Sequence, residues 1–245
     1  MKAALTPRQP IGNQLLAALP RQDLERLRPQ LETVTLGLKE LIYQPNTVIP
    51  YIYFPNSGVT SILTTMKNGK AAEVGVVGKE GMLGLPVFLG TDRSSGQSFC
   101  QVEGESLRLR ADAFRAAIQR SRALVDLLHR YTQALFTQVS QSAACNSLHS
   151  IEERCGRWLL MTHDRVETDQ FVLTQEFLAI MLGVRRASVA EVAEKLQQAR
   201  LIRYRRGQMC ILDRKGLEAT SCECYSVIRA EYERLLPYLT PSKSR

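Results

Sequence analysis

Seven side chains carry the chemistry most readily named in this chain. Arg185, Arg186, Ser188 and Glu191 fall on what the spacing predicts to be the outward face of a short helix, and Arg203, Arg205 and Arg206 follow in a turn-rich segment. Guanidinium groups fork onto paired acceptors, and hydroxyl groups grip phosphate oxygens, so this set suits the reading of a nucleic-acid duplex. From Arg185 to Arg206 there are seven basic residues (Arg185, Arg186, Lys195, Arg200, Arg203, Arg205, Arg206) and two acidic ones (Glu191, Glu194), a local excess of five positive charges. A phosphate backbone is attracted to such a stretch. Yet a polar outer face is the ordinary property of any amphipathic helix, so the elements that hold these residues must decide.

Those elements are punctuated clearly. Thr174 is placed to cap a first helix by accepting from an orphan amide, and Phe177, Leu178, Met181 and Leu182 recur as one buried stripe. Ala179 is small where a second helix must cross closely. Gly183 stands where the turn between helices requires positive φ, and Val184, Val189 and Val192 supply the core face of the second helix. Two short apolar runs around Arg205-Arg206-Gly207-Gln208 then read as the strands of a wing. The expectation is a winged helix-turn-helix, with Gln175 beside Thr174 as a further candidate contact.

The remainder of the chain sets the frame. With 245 residues, 44% of them hydrophobic, the chain can bury one large core or two smaller ones, and domain-size statistics favour two. A net charge of +8 suits a polyanionic partner without proving one. Met1 to Pro10 holds no apolar run that could serve as a signal peptide, and nowhere do apolar residues run long enough to cross a bilayer. A soluble cytoplasmic protein is expected. The six cysteines (Cys100, Cys145, Cys155, Cys210, Cys222, Cys224) are scattered, which points to reduced thiols used as core fillers.

Leucines from about residue 12 to 30 recur at helical spacing, with Pro20 opening a second short helix. Short β-rich runs follow at 33–36, 48–54, 59–66, 72–77, 98–102 and 106–110, separated by turn chemistry such as Asn68-Gly69. They suggest a jelly-roll β-barrel. A long helix is expected from Ser121 to about Ser147, and its residues Leu124, Leu128, Tyr131 and Leu135 are candidates for the seam of a homodimer. The fold class is therefore α+β: a β-roll sensor domain over 12–120, a dimerisation helix over 121–147 and a winged helix-turn-helix DNA-binding domain over 148–239. Residues after Leu239 read as a frayed tail.

This order of parts, with Leu173-Thr174-Gln175-Glu176-Phe177-Leu178-Ala179 and Leu182-Gly183-Val184-Arg185-Arg186-Ala187-Ser188-Val189, resembles the Crp–Fnr family of bacterial transcription regulators. The likeness runs over roughly residues 12 to 225 and is most specific in 173–212. It implies double-stranded DNA as partner, a homodimer, and RNA polymerase as a further partner. It implies that Arg186 meets a guanine edge in the major groove, and that Thr174, Arg185 and Ser188 meet phosphates. Ala187 and Glu191 depart from the cyclic-AMP-responsive members, which carry a glutamate and a second arginine there, so a different operator is expected.

The effector is less legible. Cyclic-nucleotide-binding members hold the ribose with a glutamate right after a glycine and the phosphate with an Arg-Ser or Arg-Thr pair. Arg93-Ser94 fits the second half, but Met82 follows Gly81, so Gly81, Met82, Arg93 and Ser94 form at best an incomplete pocket, and no cofactor is assigned. No cysteine precedes Cys100, which removes an N-terminal iron–sulfur sensor. Cys222 and Cys224 could begin a metal or redox site only if Cys210 or another ligand joined them, and packing is the simpler reading, so no metal is assigned. His129, His149 and His163 show no ligand spacing. No enzyme is expected, since phosphate-cradling, nucleophile-elbow and H-E-x-x-H motifs are all missing. The rival reading is a ligand-binding β-roll that acts through protein partners without touching DNA.

Overall fold

The computed structural model describes residues 3–4, 11–166 and 168–237. The N-terminal leucines form two short helices, α1 (Gln14–Ala17) and α2 (Arg21–Leu27). Asn13 Oδ1 caps α1 by accepting from the Leu16 amide at 3.1 Å, while its Nδ2 donates to the carbonyls of Pro55 and Gly81 at 3.0 and 2.9 Å. One fully buried amide thus pins the entry helices to the β-roll, and Leu15, Leu16, Leu19, Leu27 and Leu31 are buried with it.

The β-roll has eight strands among the described residues, six at the expected runs and two, β1 and β3, outside them: β1 (Ala3–Ala4), β2 (Glu32–Leu36), β3 (Leu41–Tyr43), β4 (Tyr51–Pro55), β5 (Val59–Thr65), β6 (Ala71–Val77), β7 (Gln97–Val102) and β8 (Gly104–Arg110). They make two antiparallel sheets in the orders β1-β2-β8-β4 and β3-β7-β5-β6. Among the described residues the two sheets share no ladder, so the jelly roll is an open sandwich and not the closed barrel expected. The chain changes sheet at Glu103, where Gly58 and Gly104 let two backbones pass: a Cβ on Gly104 would lie 2.4 Å from the Ser57 carbonyl oxygen. The fourth strand also begins later than expected. Pro50 has no N–H for a ladder, and Val48 makes only an isolated bridge to Arg93. The short β3 carries too little periodicity to be legible in the sequence.

Helices α3 (Leu85–Phe88) and α4 (Ala111–Arg120) close the roll, and Phe114 of α4 packs on Phe54 of β4 with ring centroids 6.5 Å apart. Ser121 is extended (φ −120°, ψ 103°) and breaks the helix, then caps α5 (Arg122–Leu148) by accepting from the Leu124 amide at 3.0 Å. At about 1.5 Å per residue this 27-residue helix runs about 40 Å, past the β-roll and into the C-terminal half.

The four residues expected at a dimer seam face the other way. Leu124, Leu128, Tyr131 and Leu135 are all buried inside their own protomer, where Tyr131 Oη donates to the Met82 carbonyl at 3.1 Å. A side chain sealed against its own β-roll has no surface left for a second chain, so that assignment is corrected. The helix carries two stripes, and the bulkier one went to the core. A second stripe, about a quarter turn around the helix, Val125, His129, Thr132, Phe136, Val139 and Ala143, is partly or fully exposed, and Phe136 leaves 64% of its surface uncovered.

The C-terminal half begins with α6 (Ile151–His163), whose N-terminus is a capping box between Ser150 and Glu153. β9 (Gln170–Val172), α7 (Gln175–Leu182), α8 (Arg186–Gln198), β10 (Ile202–Arg205), β11 (Gln208–Ile211), α9 (Arg214–Thr220) and α10 (Cys224–Leu235) follow, with the wing sheet ordered β10-β11-β9. The third wing strand, β9, is an addition to the two-stranded wing expected. Helix α10 returns to pack along α5. The tail expected after Leu239 lies outside the described residues. Among the described residues no helix is long and apolar enough to cross a membrane.

Candidate nucleic-acid interface

Local sequence chemistry builds the reader as expected. The Phe177 amide donates to Thr174 Oγ1 at 3.1 Å, which caps α7. At the other end Gly183 (φ 64°) donates to the Ile180 carbonyl and Val184 to the Ala179 carbonyl, at 3.1 and 3.0 Å. This paired closure ends a helix in the left-handed region, where glycine meets no Cβ penalty. Arg154 of α6 donates a further bond to the Leu182 carbonyl, so the turn is held from beneath. Leu178, Ala179, Met181, Leu182, Val189, Val192 and Leu196 are buried, Phe177 and Val184 partly so. The helix pair is thereby fixed, and its polar residues are left outside.

Arg185, Arg186 and Glu191 are exposed and Ser188 is half-buried. Arg186 is the first residue of α8, and Arg185 its cap. The wing turn is tight: Arg206 and Gly207 both take positive φ (51° and 77°), and the Leu173 amide donates to the Gly207 carbonyl at 2.8 Å. That bond places the wing tip beside the start of α7. Thr174, Gln175, Arg186, Tyr204 and Arg206 consequently line one open groove, together with Glu176 and Gly207. Arg203 and Arg205 are exposed on β10, and the Tyr204 amide is tied to Gln197 Oε1 of α8 at 2.9 Å.

A second feature could not be read from the sequence. Helix α7 packs against β6, the outer strand of its sheet, with Phe177 set edge-on to Phe99 at 5.4 Å. Arg185 and Arg186 share the resulting cleft, about 1000 Å³, with Lys39, Gly69 and Lys70 of the β-roll. They are exposed, but the β-rich half stands across from them.

A buried polar seam holds this docked arrangement. Trp158 Nε1 of α6 donates to Glu73 Oε1 of β6 at 2.9 Å, and Gln101 Nε2 of β7 donates to Thr162 Oγ1 of α6 at 3.0 Å. Arg165 pairs with Glu80 at 2.7 Å, both side chains being nearly covered. Burial pulls the Arg165 guanidinium down, but the Glu80 charge and its hydrogen bond outweigh burial and raise it above its ordinary value. Burial pushes the Glu73 carboxyl up to about 7 despite Arg157, Arg165 and the Trp158 bond, and its Oε2 is inside with no hydrogen-bond partner among the described residues.

The candidate effector residues are held by partners of their own. Met82 is buried, and a Cβ on Gly81 would meet Tyr131 Oη at 2.5 Å. Arg93 instead donates to the Asn46 carbonyl at 2.9 Å beside Asp92, and Ser94 Oγ accepts from the Gly96 amide. Among the described residues no hydrogen bond or ion pair joins Arg93 or Ser94 to Gly81–Met82.

Comparison with known proteins gives a consistent picture. Residues 33–121 match the profile of cyclic nucleotide-binding domains and residues 153–220 that of Crp-like helix-turn-helix domains, together more than half of the chain. Curated protein sequences gave no match. Among solved structures, a protein assigned to the Crp/Fnr family of transcriptional regulators from Eubacterium rectale is 17% identical, with 84% of this chain and 96% of that chain covered at a TM-score of 0.66. FixK2 from Bradyrhizobium japonicum is 13% identical over 78% of this chain and 96% of its own, at 0.67. The c-di-GMP responsive global regulator CLP of Xanthomonas campestris is 15% identical over 78% and 99%, at 0.62. With a cyclic nucleotide-binding-like half and a Crp-like reader matched in order on one chain, the protein belongs to the Crp–Fnr family of DNA-binding transcription regulators, not to a class of enzymes.

Proposed function

We propose that the protein reads a two-fold operator as a homodimer, with Arg186 on a base edge, Thr174, Gln175, Arg185 and Ser188 on phosphates, Glu191 tuning base preference, and the wing arginines Arg203, Arg205 and Arg206 on the flanking backbone. The observation that carries this reading is the single groove in which the cap of α7, the first turn of α8 and the wing turn meet. Each part supplies a different donor, and a helix N-terminus favours an anion. The division of labour assigns sensing to 12–120, pairing to 121–147 and reading to 148–239.

The test is a gel shift against genomic fragments at two salt concentrations. Phosphate contacts impose a steep salt dependence. The Arg186→Ala variant is expected to lose about 1–3 kcal/mol of operator affinity and to relax preference at one position, as a bidentate contact with guanine requires. Unchanged operator discrimination would make Arg186 a structural residue only.

Pairing is assigned to the uncovered stripe of α5. Phe136→Glu is expected to convert the dimer to a monomer in sedimentation while leaving the melting midpoint within a few degrees, because its side chain makes little use of the protomer's own core. A variant that still sediments as a dimer places the seam elsewhere.

In the docked arrangement Arg185 and Arg186 face Lys39 and Lys70 of the β-roll across a cleft. On this reading the two halves part when α8 enters a major groove, and the signal for parting acts on the α6 seam. CLP is a c-di-GMP responsive regulator. For this chain, calorimetry with cyclic AMP and cyclic GMP is expected to give no binding heat, since Tyr131 fills the space at Gly81. A saturable heat would return the nucleotide to its usual place.

A further inference from the structure

Three thiols and one imidazole, none of them used by the DNA-reading surface, meet at the far end of the long helix. Cys145 lies in the last turns of α5 and His149 closes that helix, while Cys222 precedes and Cys224 begins α10. Each offers one ligand atom, and the four atoms all lie within 4.8 Å of one another. Cys145 Sγ is 3.5 Å from Cys222 Sγ, and Cys224 Sγ is 3.5 Å from His149 Nδ1. Tetrahedral zinc, at about 2.3 Å from sulfur and about 2.0 Å from nitrogen, sets its ligands about 3.5–3.8 Å apart. We propose that Cys145, His149, Cys222 and Cys224 form a closed zinc site that staples α10 to the end of α5.

The surroundings fit that ion in three respects. His149 Nε2 lies 3.3 Å from the Glu223 carboxylate, and a carboxylate behind the imidazole fixes the tautomer that leaves Nδ1 free to ligate. The three sulfurs are buried together, apart from the main apolar core. Zinc with three thiolates and a neutral imidazole carries one negative charge, and Arg154 and Arg157 are both buried beside it, each with an Nε that has no hydrogen-bond partner among the described residues. A four-iron cluster does not fit, because its ligands must stand around a cube and these atoms converge on a point. Cys210, the other thiol considered as a third ligand, sits in the wing sheet near Arg203 instead.

The site is fully ligated by protein, which marks it as structural and not catalytic. Its reach extends to the reader: Arg154, the counter-charge on one side, is the residue that donates to the Leu182 carbonyl under the Gly183 turn. Metal occupancy therefore sets the footing of the helix-turn-helix.

The test uses the full chain, purified under reducing, oxygen-free conditions from zinc-replete cells. One zinc per chain is expected by elemental analysis, and replacement with cobalt(II) should give the intense visible bands of a tetrahedral sulfur-rich site together with thiolate-to-cobalt charge transfer. Cys224→Ser should abolish both signals, Cys155→Ser should keep them, and Glu223→Gln should weaken zinc affinity on the order of tenfold. Removing the metal with a chelator should lower the melting midpoint. The idea fails if reduced wild-type protein retains no zinc after equimolar reconstitution, if Cys224→Ser binds zinc as well as wild type, or if Cys145 and Cys222 are found joined as a disulfide in the metal-free chain. The wild-type zinc content and cobalt spectrum decide the matter even where a variant folds poorly.

Discussion

Arg165→Ala is expected to destabilise the protein by about 3–5 kcal/mol, the usual cost of removing one partner from a buried ion pair. Arg165 spans three elements: its Nε donates to Glu80 of the β-roll at 2.7 Å, its guanidinium to the Met161 carbonyl of α6 at 2.7 Å, and it lies 3.5 Å from Gln138 of α5. Truncation leaves the Glu80 carboxylate without its counter-charge in a nearly closed site. In a chain of this size a loss of about 4 kcal/mol lowers the melting midpoint by roughly 10 °C. The double replacement Arg165→Met with Glu80→Leu removes both charges and should recover most of the loss, because the desolvation penalty disappears with the attraction. Thermal unfolding of the three proteins decides it. A single variant that melts with wild type would mean that water reaches the pair.

Glu73→Gln should stabilise the protein at pH 8 by up to about 3 kcal/mol, the equivalent of a carboxyl moved from its ordinary value to about 7. The sign follows from proton binding. Between the unfolded and folded values the folded state holds a proton that the unfolded chain has released, so stability is fully present below about 4.5 and is lost as pH rises through about 7. The substituted carboxamide cannot ionise, and its oxygen still accepts the Trp158 Nε1–H. Melting midpoints measured from pH 5 to 8 should therefore fall for wild type and stay flatter for the variant. Arg157 and Arg165 act against burial at this position, as does Trp158, so parallel curves would show that they hold Glu73 ionised throughout.

The legible parts of this molecule are those whose cause is local. Thr174 and Gly183 announce a helix start and stop because cap and amide, or glycine and left-handed turn, lie within a few residues of each other. The wing turn is as plain, since Arg206-Gly207 takes two positive φ angles between alternating strands. What stays hidden depends on partners far along the chain. Periodicity shows that α5 is apolar but not which of two stripes meets Gly81 and Met82, and so Tyr131 reads as a seam residue when its partner is the β-roll. Glu73 and Trp158 are 85 positions apart, Cys145 and Cys222 are 77 apart, and neither pair leaves a mark on local spacing. Cys145 and His149, one helical turn apart, are the available hint. It gains meaning only when α10 folds back beside them.

Strand β6 is the outer strand of its sheet, and in the docked arrangement helix α7 lies against it, Gly183 close enough that a Cβ there would touch Ala72 at 3.5 Å. Any swing that frees Arg185 and Arg186 for DNA also uncovers the apolar ground beneath α7, Phe177 and Phe99 among it. Such a patch invites association with another chain. The resting fold thus keeps two kinds of stickiness under one lid, and a regulator held open without its operator should clump before one held shut.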